Sequence, residues 1–455
     1  MRWGSQDPSA QPSRSVTPMK ISVIGCGYLG SVHAASMAEL GHEVIGVDVD
    51  RNRIDLLSAG TAPFHEPGFE DLLRQNSTKL TFTTDFSALS DALVHFIAVG
   101  TPQSADGSAD MTYVNAAIDA LIPYLGPGHL VVGKSTVPVG TASRLSGVVT
   151  ATGAVLMWNP EFLREGFAVH DTLTPDRLVY GVPDDDTAEF AVSTLDAVYT
   201  DILKRETPRL IMNFATAELV KVAANSFLAT KISFINAMAE IADATGANVT
   251  QLADAIGHDT RIGRRFLNAG IGFGGGCLPK DIRGFVARAE ELGVGESLAF
   301  LKDVDDINMR RRQRVVDLVL EELGGLQGKK IAVWGLAFKP DSDDIRDSPA
   351  LDIVESLARA GATVVGADPA ASSVAAARIE KAGLAGSVTL TSDHLEATRG
   401  VDAIVVGTEW PQFVHEDPDT VKTLVSRRLV IDGRNCLDAD RWKKAGFRYL
   451  GMGRS

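Results

Sequence analysis

One stretch near the start of the chain restricts the possible folds more than any other. The run Ile21-Ser22-Val23-Ile24 passes into Gly25-Cys26-Gly27-Tyr28-Leu29-Gly30, and S-V-H-A-A-S-M-A-E-L-G then reads as a helix. A second apolar run, E-V-I-G-V-D, ends in Asp48, 18 residues after Gly30. Strand, glycine turn, helix and second strand closed by an acid make one parallel βαβ unit. The glycines allow the tight turn and the close approach of a pyrophosphate, the helix N-terminus meets the phosphate charge, and the acid takes a ribose hydroxyl. Each part alone is a weak signal, and their shared register is a strong one. A carboxylate at Asp48 repels the extra phosphate of NADP, so the expected cofactor is NAD. The competing reading makes Asp48 a plain strand-end turn residue.

The same alternation continues. Further strands are expected in L-V-H-F-I-A-V-G, H-L-V-V-G and A-V-L-M-W-N, and this half ends near residue 210. Nearly continuous apolar strands belong in a parallel sheet covered on both faces. From Ala215 to Ala244 there is neither Gly nor Pro, which reads as one long helix, apolar round most of its circumference and so largely buried. From Lys329 a second α/β unit follows, with strands K-K-I-A-V-W-G, A-T-V-V-G-A-D, D-A-I-V-V-G and R-L-V-I-D-G. It lacks G-x-G-x-x-G, so no second dinucleotide site is expected. At 455 residues the chain has room for several cores. The fold class is α/β: two Rossmann-like, doubly wound parallel-sheet domains joined by a central helical region with one long helix. The expected divisions are a disordered tail at 1–18, a dinucleotide-binding domain at 19–215, a helical, dimer-forming domain at 216–325 and a second α/β domain at 326–455.

A net charge of −14 with no basic stripe excludes a nucleic-acid partner. No apolar run reaches the roughly 18 residues of a membrane span, and the first 18 residues lack the apolar stretch of a signal peptide. Met19 is a candidate start. Cys26, Cys277 and Cys436 are too far apart for a disulfide framework or a metal spacing and suit a reducing cytosol. A cytoplasmic protein without a metal is expected.

Three groups of residues carry chemistry. In G-I-G-F-G-G-G-C-L-P-K-D, Gly274, Gly275 and Gly276 deliver Cys277 to a Leu278-Pro279 step. Proline belongs in a first helical turn, so Cys277 is expected at a helix N-terminus with Lys280 nearby, conditions that lower a thiol pKa. An inert buried cysteine is the bland alternative. Glu218, Lys221 and Asn225 share one face of the long helix. Lys221 is either half-buried and tuned, or a snorkelling edge lysine. In W-N-P-E-F-L-R-E-G, Glu161 and Glu165 follow a strand, where ligands collect, although capping would serve equally well.

The segments G-C-G-Y-L-G, V-G-T-P, G-K-S-T-V-P-V-G, N-P-E-F-L-R-E-G, P-D-R, A-E-L-V-K-V-A-A-N-S-F, R-I-G, G-F-G-G-G-C-L-P-K-D, G-L-A-F-K-P-x-x-D-D-x-R and D-G-R-N run in one order from residue 20 to about 440. They resemble the UDP-glucose/GDP-mannose dehydrogenase family, in particular its UDP-glucose 6-dehydrogenases. The resemblance implies NAD-dependent oxidation of a sugar C6 alcohol to a carboxylate. Four electrons leave as two hydrides, and a cysteine allows a thiohemiacetal that becomes a thioester for water to cleave. Carried over residue by residue, Cys277 resembles the nucleophile, and Lys221 and Asn225 resemble the holders of the C6 oxygen and its oxyanion. Asp281 resembles the partner that orders a water or proton, Glu161 the general base of thioester hydrolysis, and Thr136 the residue that positions its water. For NAD the family pattern implies Gly25, Gly27, Tyr28, Leu29, Gly30, Asp48, Arg53, Thr101, Thr136, Glu165, Lys280 and Arg346. For the UDP-sugar it implies Glu161, Phe162, Leu163, Arg164, Glu165, Lys221, Asn225, Asn268, Phe273, Gly274, Phe338 and Lys339. It also implies Arg261 acting from a neighbouring subunit, hence a homodimer at least. The pattern is broken at Gly276, where relatives commonly have serine, and at Asn435, where some have arginine. Rival expectations are the same chemistry on GDP-mannose or a UDP-N-acetylhexosamine, a hydroxyacid dehydrogenase that needs no cysteine, and a non-catalytic NAD-sensing protein.

Overall fold

The computed structural model describes residues 17–454, so the tail expected over 1–18 lies outside it except for its last two positions. Among the described residues, β1 (Lys20–Ile24), β2 (Glu43–Val47), β3 (Leu80–Thr83), β4 (Val94–Ile97), β5 (Leu130–Gly133), β6 (Val155–Trp158), β7 (Leu178–Val182) and β8 (Arg209–Asn213) form one sheet. Its order is β3-β2-β1-β4-β5-β6-β7-β8. A second sheet holds β9 (Lys330–Trp334), β10 (Thr363–Ala367), β11 (Val388–Thr391), β12 (Ala403–Val406), β13 (Leu429–Asp432) and β14 (Arg448–Gly451), in the order β11-β10-β9-β12-β13-β14. The first six strands of each sheet thus follow the same doubly wound path. The strands β4, β5, β6, β12 and β13 are buried from end to end, as apolar runs covered on both faces must be.

Five strands, β3, β7, β8, β11 and β14, add to the nine read from the sequence. Four of them lie at sheet edges, where water reaches one face of β3, β11 and β14 and nearly all of β8, and where threonine or arginine breaks the apolar pattern. The first sheet is also not wholly parallel. β7 meets β6 antiparallel at Trp158–Gly181, and β8 runs with β7.

Between the sheets stands the helix Phe214–Thr245, started by the Asn213 side chain accepting from the Thr216 N–H and stopped by Gly246 at φ 75°. It packs against the helices Leu278–Glu291 and Phe300–Leu323. Its burial is one-sided, where a largely buried helix was expected. Ala217, Lys221, Asn225, Ala229, Asn236 and Ala239 face inward, while Phe227, Phe234 and Ile241 stand exposed at seven-residue intervals. No helix of the described residues is long and apolar enough to cross a membrane.

Candidate active site

A cleft of about 1870 Å³ runs between the two sheets and along the long helix. That is larger than the usual small-molecule pocket of about 300–1,000 Å³ and leaves room for two nucleotide-sized ligands together.

At one end lies the first glycine turn. Gly25 takes φ +91° with its missing side chain against Val99, and a Cβ on Gly30 would sit 1.8 Å from the Gly25 carbonyl. Gly27 faces open space and leads into the helix Tyr28–Glu39, which has no side-chain cap and no acid in its first turn. Its first N–H groups are therefore available to an anion. Asp48, at the end of β2, lines the cleft. Its carboxylate accepts from the Cys26 N–H (2.7 Å) and the Asp50 N–H (2.9 Å) and pairs with Arg53 (3.0 Å). Thr101 donates to the Thr136 carbonyl (2.8 Å), joining two walls, and Leu29 lines the same cleft. This cradle fits a dinucleotide.

At the other end the catalytic candidates converge. Cys277 caps the helix Leu278–Glu291, with Pro279 in the first turn, as the sequence predicts. Lys221 is buried, its ammonium 3.1 Å from Glu161 Oε1. The other Glu161 oxygen accepts from the Leu163 N–H (2.7 Å). Asn225 donates to Asp281 (2.6 Å), whose second oxygen pairs with Lys280 (2.6 Å). Glu218, on the same helix, turns away and caps the helix Thr141–Thr150 through Gly140 N and Ala142 N (both 2.7 Å).

The expected low thiol pKa is not what this geometry produces. Burial pushes the Cys277 thiol up to about 11, against the pull of the Lys221 ammonium, and Glu161, Asp281 and Glu165 push the same way as burial. Lys280, placed by the sequence reading beside the thiol, is held by Asp281 instead. Burial also opposes the charge on Lys221, but Glu161, Cys277 and Asp281 outweigh it and raise its pKa. Lys221 is thus a fixed positive charge.

The three glycines before Cys277 have distinct reasons. A Cβ on Gly274 would meet the Asp347 carbonyl at 2.3 Å, Gly275 has φ +85° over the Phe338 ring, and Gly276 lies beneath the Arg346 guanidinium. Arg346 bridges Glu165 (2.9 Å) and Asp344 (2.7 Å). Burial and the Asp344 charge push Glu165 up to about 8. Lys339 donates to the Glu165 carbonyl and lies 5.2 Å from the Phe338 ring centre. Phe162 sits under Arg177, with Lys221 5.7 Å from its ring centre. Phe273 is clamped by Asn308 at N–H and carbonyl (2.7 and 3.0 Å), and Asn268 accepts from Arg264 (2.8 Å). Arg164 lines the cleft but gives its guanidinium to Asp171. Arg261 lies apart from the cleft of its own chain, 87% exposed and paired with Asp259.

Two residues escaped the sequence reading. Lys134 is buried at the end of β5, held by Asn159 Oδ1 (3.0 Å), which also accepts from the Tyr199 hydroxyl (2.9 Å). Burial brings its pKa down to about 8. A lysine directly after an apolar strand was the available clue. Glu66 is a buried carboxylate that accepts from the Tyr28 hydroxyl and from the Gly166 and Ala168 N–H groups (both 2.7 Å). Its clue was an acid set between His65 and Pro67-Gly68 in a helix-entry turn.

Models of one family match in sequence along the chain: the NAD binding, central and UDP binding domains of the UDP-glucose/GDP-mannose dehydrogenase family, at residues 19–203, 215–310 and 332–439. The chain is 41% identical to a UDP-glucose 6-dehydrogenase of Pseudomonas aeruginosa, over 96% of this chain and 98% of that one. It is 40% identical to the UDP-glucose 6-dehydrogenase TuaD of Bacillus subtilis, over 96% and 93%. A UDP-glucose dehydrogenase structure from Pyrobaculum islandicum superposes with a TM-score of 0.88 at 38% identity, covering 98% of this chain and 100% of the other. A UDP-D-ManNAc dehydrogenase structure from Pyrococcus horikoshii gives 0.82 at 27%, covering 96% and 99%.

Proposed function

The chain belongs to the UDP-glucose/GDP-mannose dehydrogenase family, and on that premise we propose that it oxidises the C6 alcohol of UDP-glucose to the carboxylate of UDP-glucuronate, using two NAD⁺ per sugar. The observation that carries the reading is the convergence of Cys277, Lys221, Asn225 and Glu161 in the cleft that also contains the first glycine turn, with Asp281 bonded to Asn225.

When bound, NAD⁺ supplies the hydride acceptor for both oxidations. The cofactor cradle is Gly25, Gly27, Tyr28, Leu29, Gly30, Asp48, Arg53 and Thr101, with Thr136, Glu165, Lys280 and Arg346 on the side nearest the thiol. Lys221 and Asn225 hold the C6 oxygen. A cationic amine and an amide N–H, both fixed in a buried site, stabilise the negative charge that grows there. Asp281, tied to Asn225 and Lys280, orders the water that receives the hydroxyl proton. Once C6 is an aldehyde, the Cys277 S–H adds across the carbonyl, sulfur to carbon and proton to oxygen. Adding as the thiol suits a group whose pKa lies near 11. Loss of the second hydride, to a second NAD⁺, and of the hydroxyl proton, to the water ordered by Asp281, leaves a thioester. Glu161 takes a proton from the attacking water, positioned by Thr136, and returns it to the sulfur as the C–S bond breaks, so that Cys277 leaves as the thiol with the acid as product. Phe162, Leu163, Arg164, Asn268, Phe273, Gly274, Phe338 and Lys339 line the sugar-nucleotide end, and Lys339 and Arg346 provide the local positive charge that a diphosphate requires and a −14 chain otherwise lacks. In this reading 19–215 binds NAD, 216–325 forms the dimer and 326–455 binds the UDP-sugar.

Two features support a homodimer. Phe227, Phe234 and Ile241 form an exposed apolar row on the long helix, and Arg261, held by the surface carboxylate of Asp259, stands 87% exposed where a second copy's cleft can receive it. Three free cysteines among the described residues suit a cytoplasmic location.

The test offers UDP-glucose, GDP-mannose and UDP-N-acetylmannosamine to the purified protein with NAD⁺ and counts NADH per sugar. Two NADH from UDP-glucose alone is expected. Two from another sugar would transfer the chemistry to that substrate, one would indicate a two-electron dehydrogenase, and none a binding protein.

A further inference from the structure

Tyr28 sits within the glycine turn, yet its side chain leaves the nucleotide cradle and crosses to a different part of the chain. Its hydroxyl donates to Glu66 and accepts from the Gly166 N–H at 2.9 Å, while its ring packs on Phe64 at 4.5 Å between centres. Glu66 is 5% exposed and also accepts from Gly166 N (2.7 Å), Ala168 N (2.7 Å) and Val169 N (3.4 Å). Gly166 directly follows Glu165 and ends the segment Glu161–Glu165 that lines the sugar-nucleotide end of the cleft. On its other side Gly166 has φ +76° and lies against the Asp341 carbonyl, where a Cβ would come within 2.9 Å. The Lys339 ammonium holds the preceding carbonyl from the second lobe.

Capping the short helix Ala168–Leu173 explains the bonds from Glu66 to the backbone. It does not explain the tyrosine hydroxyl, because Gly166 N already has Glu66 as an acceptor. We propose that Tyr28 and Glu66 are positioning residues that couple the two ligand sites: a dinucleotide that orders the Tyr28 turn also fixes Gly166, and with it the segment that receives the sugar nucleotide. The inference rests on the two-ligand reading of the cleft given above. Each ligand then orders part of what the other needs, so each tightens the other's binding, and by linkage the two factors are equal.

The test is calorimetric titration of UDP-glucose into the protein with and without saturating NADH, which cannot accept a hydride and so permits no turnover. The coupling factor is the ratio of the two dissociation constants. It cancels any uniform loss of affinity for either ligand, so a purely structural role would not move it. The wild-type protein should give a factor of about 5 or more, within the usual range of such couplings. Tyr28→Phe, which keeps the ring against Phe64 and leaves Gly166 N its Glu66 acceptor, should bring it below about 2. Glu66→Gln should lower it as well; if that variant does not fold, Tyr28→Phe decides alone. An unchanged factor in Tyr28→Phe, or a wild-type factor near one, overturns the coupling while leaving the two-ligand reading intact. If UDP-glucose binds neither with nor without NADH, that reading falls, and the coupling with it.

Discussion

The two lobes share a strand order and treat its central crevice in opposite ways. In each, the first strand runs into a glycine of positive φ, Gly25 at 91° and Gly335 at 93°, and the second strand is followed by an aspartate, Asp48 or Asp368. In the first lobe Gly27 and a helix start without a side-chain cap face the cleft, and Asp48 stays at its wall. In the second lobe the same aspartate is sealed. Asp368 accepts from the N–H groups of Leu336, Ala337, Ala370 and Ala371 at 2.7–3.0 Å and from the Trp410 indole at 3.2 Å, with no exposure. The helix that would follow the turn begins only at Pro349, and the intervening loop carries Phe338, Lys339 and Arg346 into the interlobe cleft. Topology therefore creates a crevice; whether the turn's N–H groups are satisfied internally decides whether it can bind a dinucleotide.

The strongest break in this symmetry is at the segment belonging to neither sheet. Cys277→Ala should reduce turnover below about a thousandth of wild type while both lobes stay folded and NAD⁺ still binds, measured by NADH production and by titration. Next comes the sealed aspartate. Asp368→Ala leaves five donors without their acceptor and should lower unfolding free energy by about 3 kcal/mol or more in denaturant titration. Asp48→Ala should do the reverse: a rise of about tenfold or more in KM for NAD⁺ and a loss of only about 1 kcal/mol in stability. Equal effects of the two substitutions on NAD⁺ would dissolve the contrast.

Two smaller effects concern titration in the cleft. Alkylation of Cys277 by iodoacetamide should keep accelerating from pH 7 towards about 11, because burial holds the thiol protonated; a plateau near neutrality would contradict this. Glu165 is raised from 4.5 to about 8, so the folded state holds that proton more tightly than the unfolded chain. Its stabilisation is full below about pH 4.5 and is lost as pH rises to about 8. Glu165→Gln removes this loss. Its melting temperature relative to wild type should therefore climb by about 2 °C or more from pH 5 to pH 9.

The arrangement of two α/β lobes around a long helix was legible because buried strands and uninterrupted helices leave continuous patterns. The edge strands β3 and β11 were not, since a threonine at every second position hides a half-exposed strand among turns. The placement of Cys277 at a helix start was legible from Pro279, but its pKa was not. The local features that lower a thiol pKa are written beside it, whereas the burial that outweighs them comes from segments far away in the chain. The long helix teaches the same lesson. Its composition announces apolarity, but only the packed structure shows that Phe227, Phe234 and Ile241 face outward. Glu66 and Lys134 went unread because their partners, Gly166 and Asn159, are remote in sequence.

The central claim is that the sugar is carried as an acyl group on Cys277 until Glu161 activates water. Glu161→Gln, incubated with UDP-glucose and NAD⁺ and analysed by intact-protein and peptide mass spectrometry, tests it most directly. The expected result is a burst of two NADH per active site followed by slow turnover, with the peptide containing Cys277 heavier by UDP-glucuronate less one water. Full turnover without an adduct, or an adduct on any other residue, would contradict the account.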